Sequence, residues 1–194
     1  MVTQTNRLDI TVNPRQLKRV RAMLAAVPNG MGRVMSRAIN RTATGARSQA
    51  VKAIAAESGL QQKTIRQKVT ILRANMRHWA ATIRIRDTRV PMITLGAKQT
   101  KRGVTVRDKA GGGRRLIASA FIATMPSGHT GVFKRRGAKR LPIAEQMTDS
   151  LARYFEETAG LAGRILAASE ERLSREIDSQ VAVILDKFKQ RQAG

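Results

Sequence analysis

Groups able to do acid, base or metal chemistry are few and scattered in this chain. Residues 1–140 hold four carboxylates, Asp9, Glu57, Asp87 and Asp108, each alone in sequence, and the whole chain has two histidines, His78 and His129. Paired acid–base work, or a two-metal nuclease centre, needs two or more carboxylates converging on one point. No spacing here brings such a pair together. His78 precedes Trp79 where a loop enters a strand and His129 sits in a turn, positions typical of surface imidazoles rather than of a general base. There is no cysteine, so disulfides, thiolate nucleophiles and thiolate metal sites are excluded. No GxSxG elbow occurs. The run Gly111-Gly112-Gly113 before Arg114 and Arg115 offers either an anion-binding nest of backbone N–H groups or a flexible hairpin tip. It lacks the GxxxxGK(S/T) frame and following helix of a phosphate-binding loop. The residues therefore predict no enzyme, no cofactor and no metal.

What the chain has in quantity is positive charge. Its net charge is +24, and residues 1–140 carry 30 Lys and Arg against 4 Asp and Glu, whereas residues 141–194 carry 7 against 9. Self-repulsion on this scale opposes compaction, so a polyanion or an acidic protein surface is the expected neighbour. Arg33, Arg37 and Arg41 recur every fourth residue and line one helical stripe, which reads either as a solvated face or as a binding stripe. Arg84 and Arg86 alternate with Ile83 and Ile85, Arg114 and Arg115 follow the glycine run, and Lys134, Arg135, Arg136, Lys139 and Arg140 crowd one segment. Aromatic residues make up 3% of the chain, and Phe121, Tyr154, Phe155 and Phe188 stand at core-like positions. Only Phe133 lies beside a charge cluster, so stacking of bases is not the main mode. A helix-turn-helix over 32–69 has only a compositional basis. There remains electrostatics without sequence reading, aimed at a phosphate backbone or at an acidic partner.

The elements that must carry these charges follow from periodicity. LDITV (8–12) alternates as a strand, and Asn13-Pro14 is a cap and first-turn pair opening a helix with Leu17, Val20, Met23, Leu24 and Val27 on one face. Pro28-Asn29-Gly30 stops it. From Gly32 to Glu57, Met35, Ile39, Ala43, Ala46, Ala50 and Ile54 recur at helical spacing, and their small size permits close packing. A short helix in 60–69 is followed by strands VTILRA, WAATIRIRD and MITLGA. In the second of these, Ala81, Ile83 and Ile85 share one face and Thr82, Arg84 and Arg86 the other. Residues 98–102 and 108–115 read as exposed, mobile turns around the strand GVTVR, LIASAFIATM as one buried strand, and GVFKRR as another after the turn SGHTG. Leu141-Pro142-Ile143 is expected to end the sheet region. Beyond it, Met147, Leu151, Tyr154 and Phe155 predict a helix, and 161–190 a longer one with an apolar seam of Leu166, Leu173, Ile177, Val181, Ile184, Leu185 and Phe188. No regular βαβ alternation is present, so the expected fold is α+β, with a mostly antiparallel sheet packed against the long Ala-rich helix and a C-terminal helical extension. The N-terminal residues contain no leader-like apolar segment, and no stretch reaches the roughly 18 apolar residues that cross a bilayer. A soluble protein with no membrane partner is the expectation.

Several short motifs carry a resemblance: Ala38-Ile39-Asn40-Arg41, Pro91-Met92-Ile93-Thr94-Leu95-Gly96, Ala120-Phe121-Ile122, and Arg140-Leu141-Pro142-Ile143 ahead of Phe155. Over 34–157 this pattern resembles the minor tail protein Z family of lambda-like bacteriophages and prophages. The resemblance implies a non-enzymatic virion protein of the head-proximal tail end, made in the host cytoplasm. The expected domains are a basic α+β tail-completion domain (1–157) and a C-terminal amphipathic helix (158–194). The implied partners are further copies in a homohexameric ring, the adjoining tail terminator, tail tube, tape measure or head-connector proteins, and DNA passing through without sequence preference. In such a ring Arg84, Arg86, Arg114, Arg115, Lys134, Arg135, Arg136, Lys139 and Arg140 are candidates to face the DNA channel or a partner. Glu145, Asp149, Glu156, Glu157, Leu173, Ile177, Val181 and Ile184 are candidate contacts between copies. The competing class is a sequence-independent nucleic-acid-binding protein of ribosomal or nucleoid type. A nuclease would require metal-dependent cleavage through Asp87 or Asp108.

Overall fold

A computed structural model describes residues 5–109 and 112–192. The elements run β1 (Thr5–Ile10), α1 (Pro14–Met23), α2 (Gly30–Ser58), α3 (Gln62–Arg66), β2 (Val69–Leu72), β3 (Ala81–Arg86) and β4 (Arg89–Pro91). They continue with β5 (Lys98–Thr100), β6 (Gly103–Arg107), β7 (Arg114–Ala118), β8 (Ala120–Thr124) and β9 (Thr130–Arg135). The last are β10 (Ile143–Glu145), β11 (Met147–Ser150), α4 (Leu151–Glu157) and α5 (Leu161–Gln192). The fold is mixed α and β with antiparallel strands, a long helix and a C-terminal helix. Among the described residues the strands are shared among four small sheets ordered β1-β3-β2, β10-β9-β8, β11-β4 and β5-β6-β7. The chain forms two compact units. The first comprises Met1–Thr5, Val51–Lys68 and Arg86–Ala159, and the second Asn6–Ala50, Val69–Ile85 and Gly160–Gly194.

The second unit is built on α1, most of α2, α5 and the β1-β3-β2 sheet. Asn13 accepts from the Arg15 N–H at 2.9 Å and Pro14 fills the first turn, so α1 starts where the cap pair predicts. Val20, Leu24 and Val27 are buried, whereas Met23, at the end of the helix, is 45% exposed. On α2 the expected face is enclosed: Met35, Ile39, Ala43, Ala46, Ala50 and Ile54 are all buried. The Asn40 amide donates to the Ala74 carbonyl and accepts from its N–H, both at 2.9 Å, and so pins the chain after β2 to this helix. On β3, Ala81, Ile83 and Ile85 point inward while Arg84 and Arg86 are exposed, as alternation requires. Thr82 is buried too, its hydroxyl donating to Asp9 Oδ1 at 2.6 Å. The seam of α5 is buried at Leu173, Ile177, Val181 and Ile184 together with Ile165 and Ser169, and Leu166 lies off it at 36% exposure.

The first unit holds the other three sheets, α3 and α4. Its core includes Ile65, Val90, Leu95, Val104, Val106, Val132, Leu151 and Phe155. Several expectations change here. MITLGA is not a strand: Met92–Leu95 is a 3-10 turn, closed by the Thr94 hydroxyl donating to the Pro91 carbonyl at 2.8 Å and ended by Gly96 at φ 65°. Lys98–Thr100 is a strand paired with β6 rather than a turn. LIASAFIATM breaks at Ser119 (φ 58°) into β7, which pairs with β6 and is mostly exposed, and β8, which pairs with β9. The sheet region does not end at 143. β10 pairs with β9 and β11 with β4, and the predicted helix starts only at Leu151, where Ser150 accepts from the Arg153 N–H. The helix-turn-helix reading fails because α3 is five residues long. Of the glycine run, Gly111 lies outside the described residues. The Gly112 N–H is spent on the Lys109 carbonyl in the β6–β7 turn.

Candidate functional site

Two basic regions stand out, one in each unit. In the first unit, β9 carries Val132 and Phe133 into the core, then leaves it, so that Lys134 and Arg135 are both exposed. β10 returns in register, Ile143 opposite Arg135 and Ala144 opposite Lys134, and the Arg136 N–H donates to the Pro142 carbonyl at 3.1 Å to close the loop. This hairpin end presents Lys134, Arg135, Arg136, Lys139 and Arg140 to solvent, with Leu141 66% exposed beside them. Among the described residues none of the five has a carboxylate partner; Arg135 instead lies over the Phe121 ring at 5.4 Å. Phe133, the aromatic nearest the cluster in sequence, is buried against Phe121 with ring centroids 6.3 Å apart, so it offers no platform for a base.

The second unit brings α2 and α5 side by side. Arg41 on α2 reaches Glu176 on α5 at 3.3 Å, Arg172 lies against Gly45, and Arg19 of α1 holds Asp178 at 3.2 Å. Between the helices runs a furrow. One end opens into a cleft of about 400 Å³ floored by Val27, Ile184 and Phe188 and rimmed by Arg33, Arg37, Lys187 and Arg191. The furrow continues past Arg41 and Ser179 to Arg172, Arg175 and Glu176, with Arg73 at its far end. Glu176 is the one carboxylate among the described residues that line it. The stripe Arg33, Arg37, Arg41 is thus one wall of a groove. Its other wall was not legible in the sequence as a site, because Lys187 and Arg191 lie about 150 residues away and no spacing links them to α2. The signal that existed was the cationic end of α5, beside an apolar seam.

The remaining candidates are dispersed. Arg84 and Arg86 are exposed on β3, and Asp9, near Arg84, is held below its ordinary 3.8 mainly by the Thr82 hydroxyl, then against burial by Arg7. Arg114 is structural: it donates to the Gly96 carbonyl at 2.6 Å and to the Thr105 carbonyl at 2.7 Å. Arg115 stands 4.0 Å from Asp108. Glu145 meets His129 at 2.9 Å, and Asp149 and Glu157 both pair with Arg153. Glu156 is exposed, Leu173, Ile177 and Val181 are enclosed by the chain itself, and Ile184, 5% exposed, lies at the floor of the cleft. Lys109 is raised above its ordinary value by its bond to Glu57 at 2.9 Å. Among the described residues no three His, Asp or Glu side chains gather as a metal would need. No helix among them is long and apolar enough to cross a membrane.

The family model described as prophage minor tail protein Z (GPZ) matches residues 15–191. This chain belongs to that family. The match to minor tail protein Z runs from α1 through nearly all of α5, beyond the 34–157 range that the short motifs covered, so both basic regions lie inside it. The tail completion protein of Escherichia phage N15 is 27% identical over 117 residues, covering 57% of this chain and 64% of that protein. The chain thus spans less than two thirds of that relative's length. No solved structure matches.

Proposed function

We propose that the chain is a structural virion protein rather than an enzyme. It completes the head-proximal end of a phage tail, forming a ring, homohexameric, that joins tail to head connector and surrounds the DNA channel. The observation that carries this reading is the match to minor tail protein Z over 15–191, and the N15 relative's role as a tail completion protein supports it. The charge fits a conduit. Exposed cations such as Lys134, Arg136, Lys139 and Arg140 attract phosphate at any sequence. Neighbouring tail terminator, tube, tape measure or connector proteins supply the remaining partners, and acidic faces among them would offset the basic body.

Deleting the gene in the phage that encodes it tests the reading. The expected products are filled heads and separate tails, with joined infectious particles restored by adding the purified chain to the lysate. Joined particles at the normal yield without the chain would overturn it, and tight, salt-steep nucleic-acid binding by a chain absent from particles would favour the ribosomal or nucleoid class.

A further inference from the structure

The furrow of the second unit has a chemistry that a DNA conduit does not use. Its cleft pairs an apolar floor, Val27, Ile184 and Phe188, with four rim cations, Arg33, Arg37, Lys187 and Arg191, and no acid among the described residues that line it. A phosphate backbone satisfies the rim and has nothing to place on the floor. Further along, the chain shows what satisfies both walls: the Glu176 carboxylate accepts from Arg41 of α2 at 3.3 Å and lies 3.6 Å from Arg172 of its own helix. At the open end no carboxylate among the described residues plays that part. Arg33, Arg37 and Arg41 rise one helical turn at a time, about 6 Å, which is the spacing of carboxylates at every fourth position of a second helix. A void of about 150 Å³ holds a benzene ring, so a cleft of about 400 Å³ has room for a large apolar side chain and its neighbour.

We propose that this furrow is a docking groove for an acidic amphipathic helix of a partner protein. Its carboxylates meet Arg33, Arg37, Lys187 and Arg191, and its apolar side chains enter against Ile184 and Phe188. The groove recognises the combination of acid and apolar groups, so that charge steers the encounter and the floor holds the bound helix. This inference stands independently of the placement at a tail neck.

Fluorescence anisotropy on the full chain tests it with three probes: a labelled 20-residue helix-forming peptide with Glu on one flank and Leu on the adjoining face, a shuffled peptide of identical composition, and a 20-base-pair DNA duplex. The amphipathic peptide is expected to bind about tenfold or more tightly than the shuffled one. Phe188→Ala should bring that ratio to about threefold or less, and Lys187→Glu should weaken both peptides about tenfold. Lys187 is exposed, so its reversal tests the groove even if Phe188→Ala disturbs packing, which circular dichroism would report. Equal binding of the two peptides, a ratio untouched in well-folded Phe188→Ala, or no peptide binding would overturn the proposal. Displacement of the peptide by duplex at matched charge would make the furrow a nucleic-acid face, and loss of peptide binding as the chain self-associates would put a second copy there; either result also overturns it.

Discussion

The hairpin end between β9 and β10 and the furrow between α2 and α5 carry the same sign of charge on different supports. At the hairpin end, five cations stand in water beyond the last buried residue of β9, without carboxylate partners among the described residues. In the furrow, cations stand on two helices clamped by a buried seam, with an apolar floor at one end and Glu176 already paired across the helices with Arg41. The first arrangement acts at a distance and without selectivity, as exposed charge does. The second adds desolvated contact, the ingredient that turns attraction into recognition. A net charge of +24 therefore conceals two kinds of surface.

The most forceful way to separate them is to remove what holds one furrow wall. Leu173 is 2% exposed, and Leu173→Ala is expected to destabilise the chain by about 2–5 kcal/mol in urea unfolding. A change under about 1 kcal/mol would show that the seam does not anchor α5. Next comes the hairpin end. Replacing Lys134, Arg136, Lys139 and Arg140 with alanine should lower duplex-DNA affinity about a hundredfold near 100 mM salt and flatten the log–log salt slope by about 3–4. If Arg37→Ala with Lys187→Ala flattens that slope equally, the contrast between the regions collapses.

A smaller effect is expected where α2 ends. Gly59 has φ +68°, and a Cβ there would meet the Asp108 carbonyl oxygen at 2.5 Å. Gly59→Ala should cost about 1–3 kcal/mol, measured by thermal unfolding, while leaving the residues that line the furrow unchanged. The smallest effect concerns how the second unit treats charge. Thr82→Val removes the principal donor to Asp9, so the Asp9 carboxyl should titrate closer to its ordinary 3.8 when followed by NMR. Because folding lowers that pKa, the bond contributes stability above 3.8 that disappears as pH falls through the folded value. The stability gap between wild type and Thr82→Val should therefore close in acid, and it should be slight throughout because the Asp9 side chain is 46% exposed. A gap that widens in acid would contradict the assignment.

Legibility in the sequence followed how locally each feature is determined. The start of α1 was readable because Asn13 and Pro14 act within one turn, and α2 because Met35, Ile39, Ala43 and Ala46 repeat a single packing face. β3 was readable because pleating alone separates Ile83 and Ile85 from Arg84 and Arg86. The spacing of Met147, Leu151, Tyr154 and Phe155 imitates a helical face. Pairing of Met147 with Pro91 and Ser150 with Arg89 makes 147–150 a strand instead, and that pairing depends on a segment nearly 60 residues earlier. The apolar continuity of LIASAFIATM likewise hid the turn at Ser119, whose N–H donates to the Arg102 carbonyl. Half of the furrow was visible as the stripe Arg33, Arg37, Arg41. The other half needed the tertiary packing of α5, which no local pattern encodes.

Electron cryomicroscopy of the purified particle, focused on the junction of head and tail, tests the central claim most directly. The account predicts a ring of copies of this chain at the head-proximal end of the tail, with Lys134–Arg140 directed toward DNA density or an adjoining ring. A complete junction whose density is fully occupied by other proteins, with no copy of this chain in the particle, would contradict it.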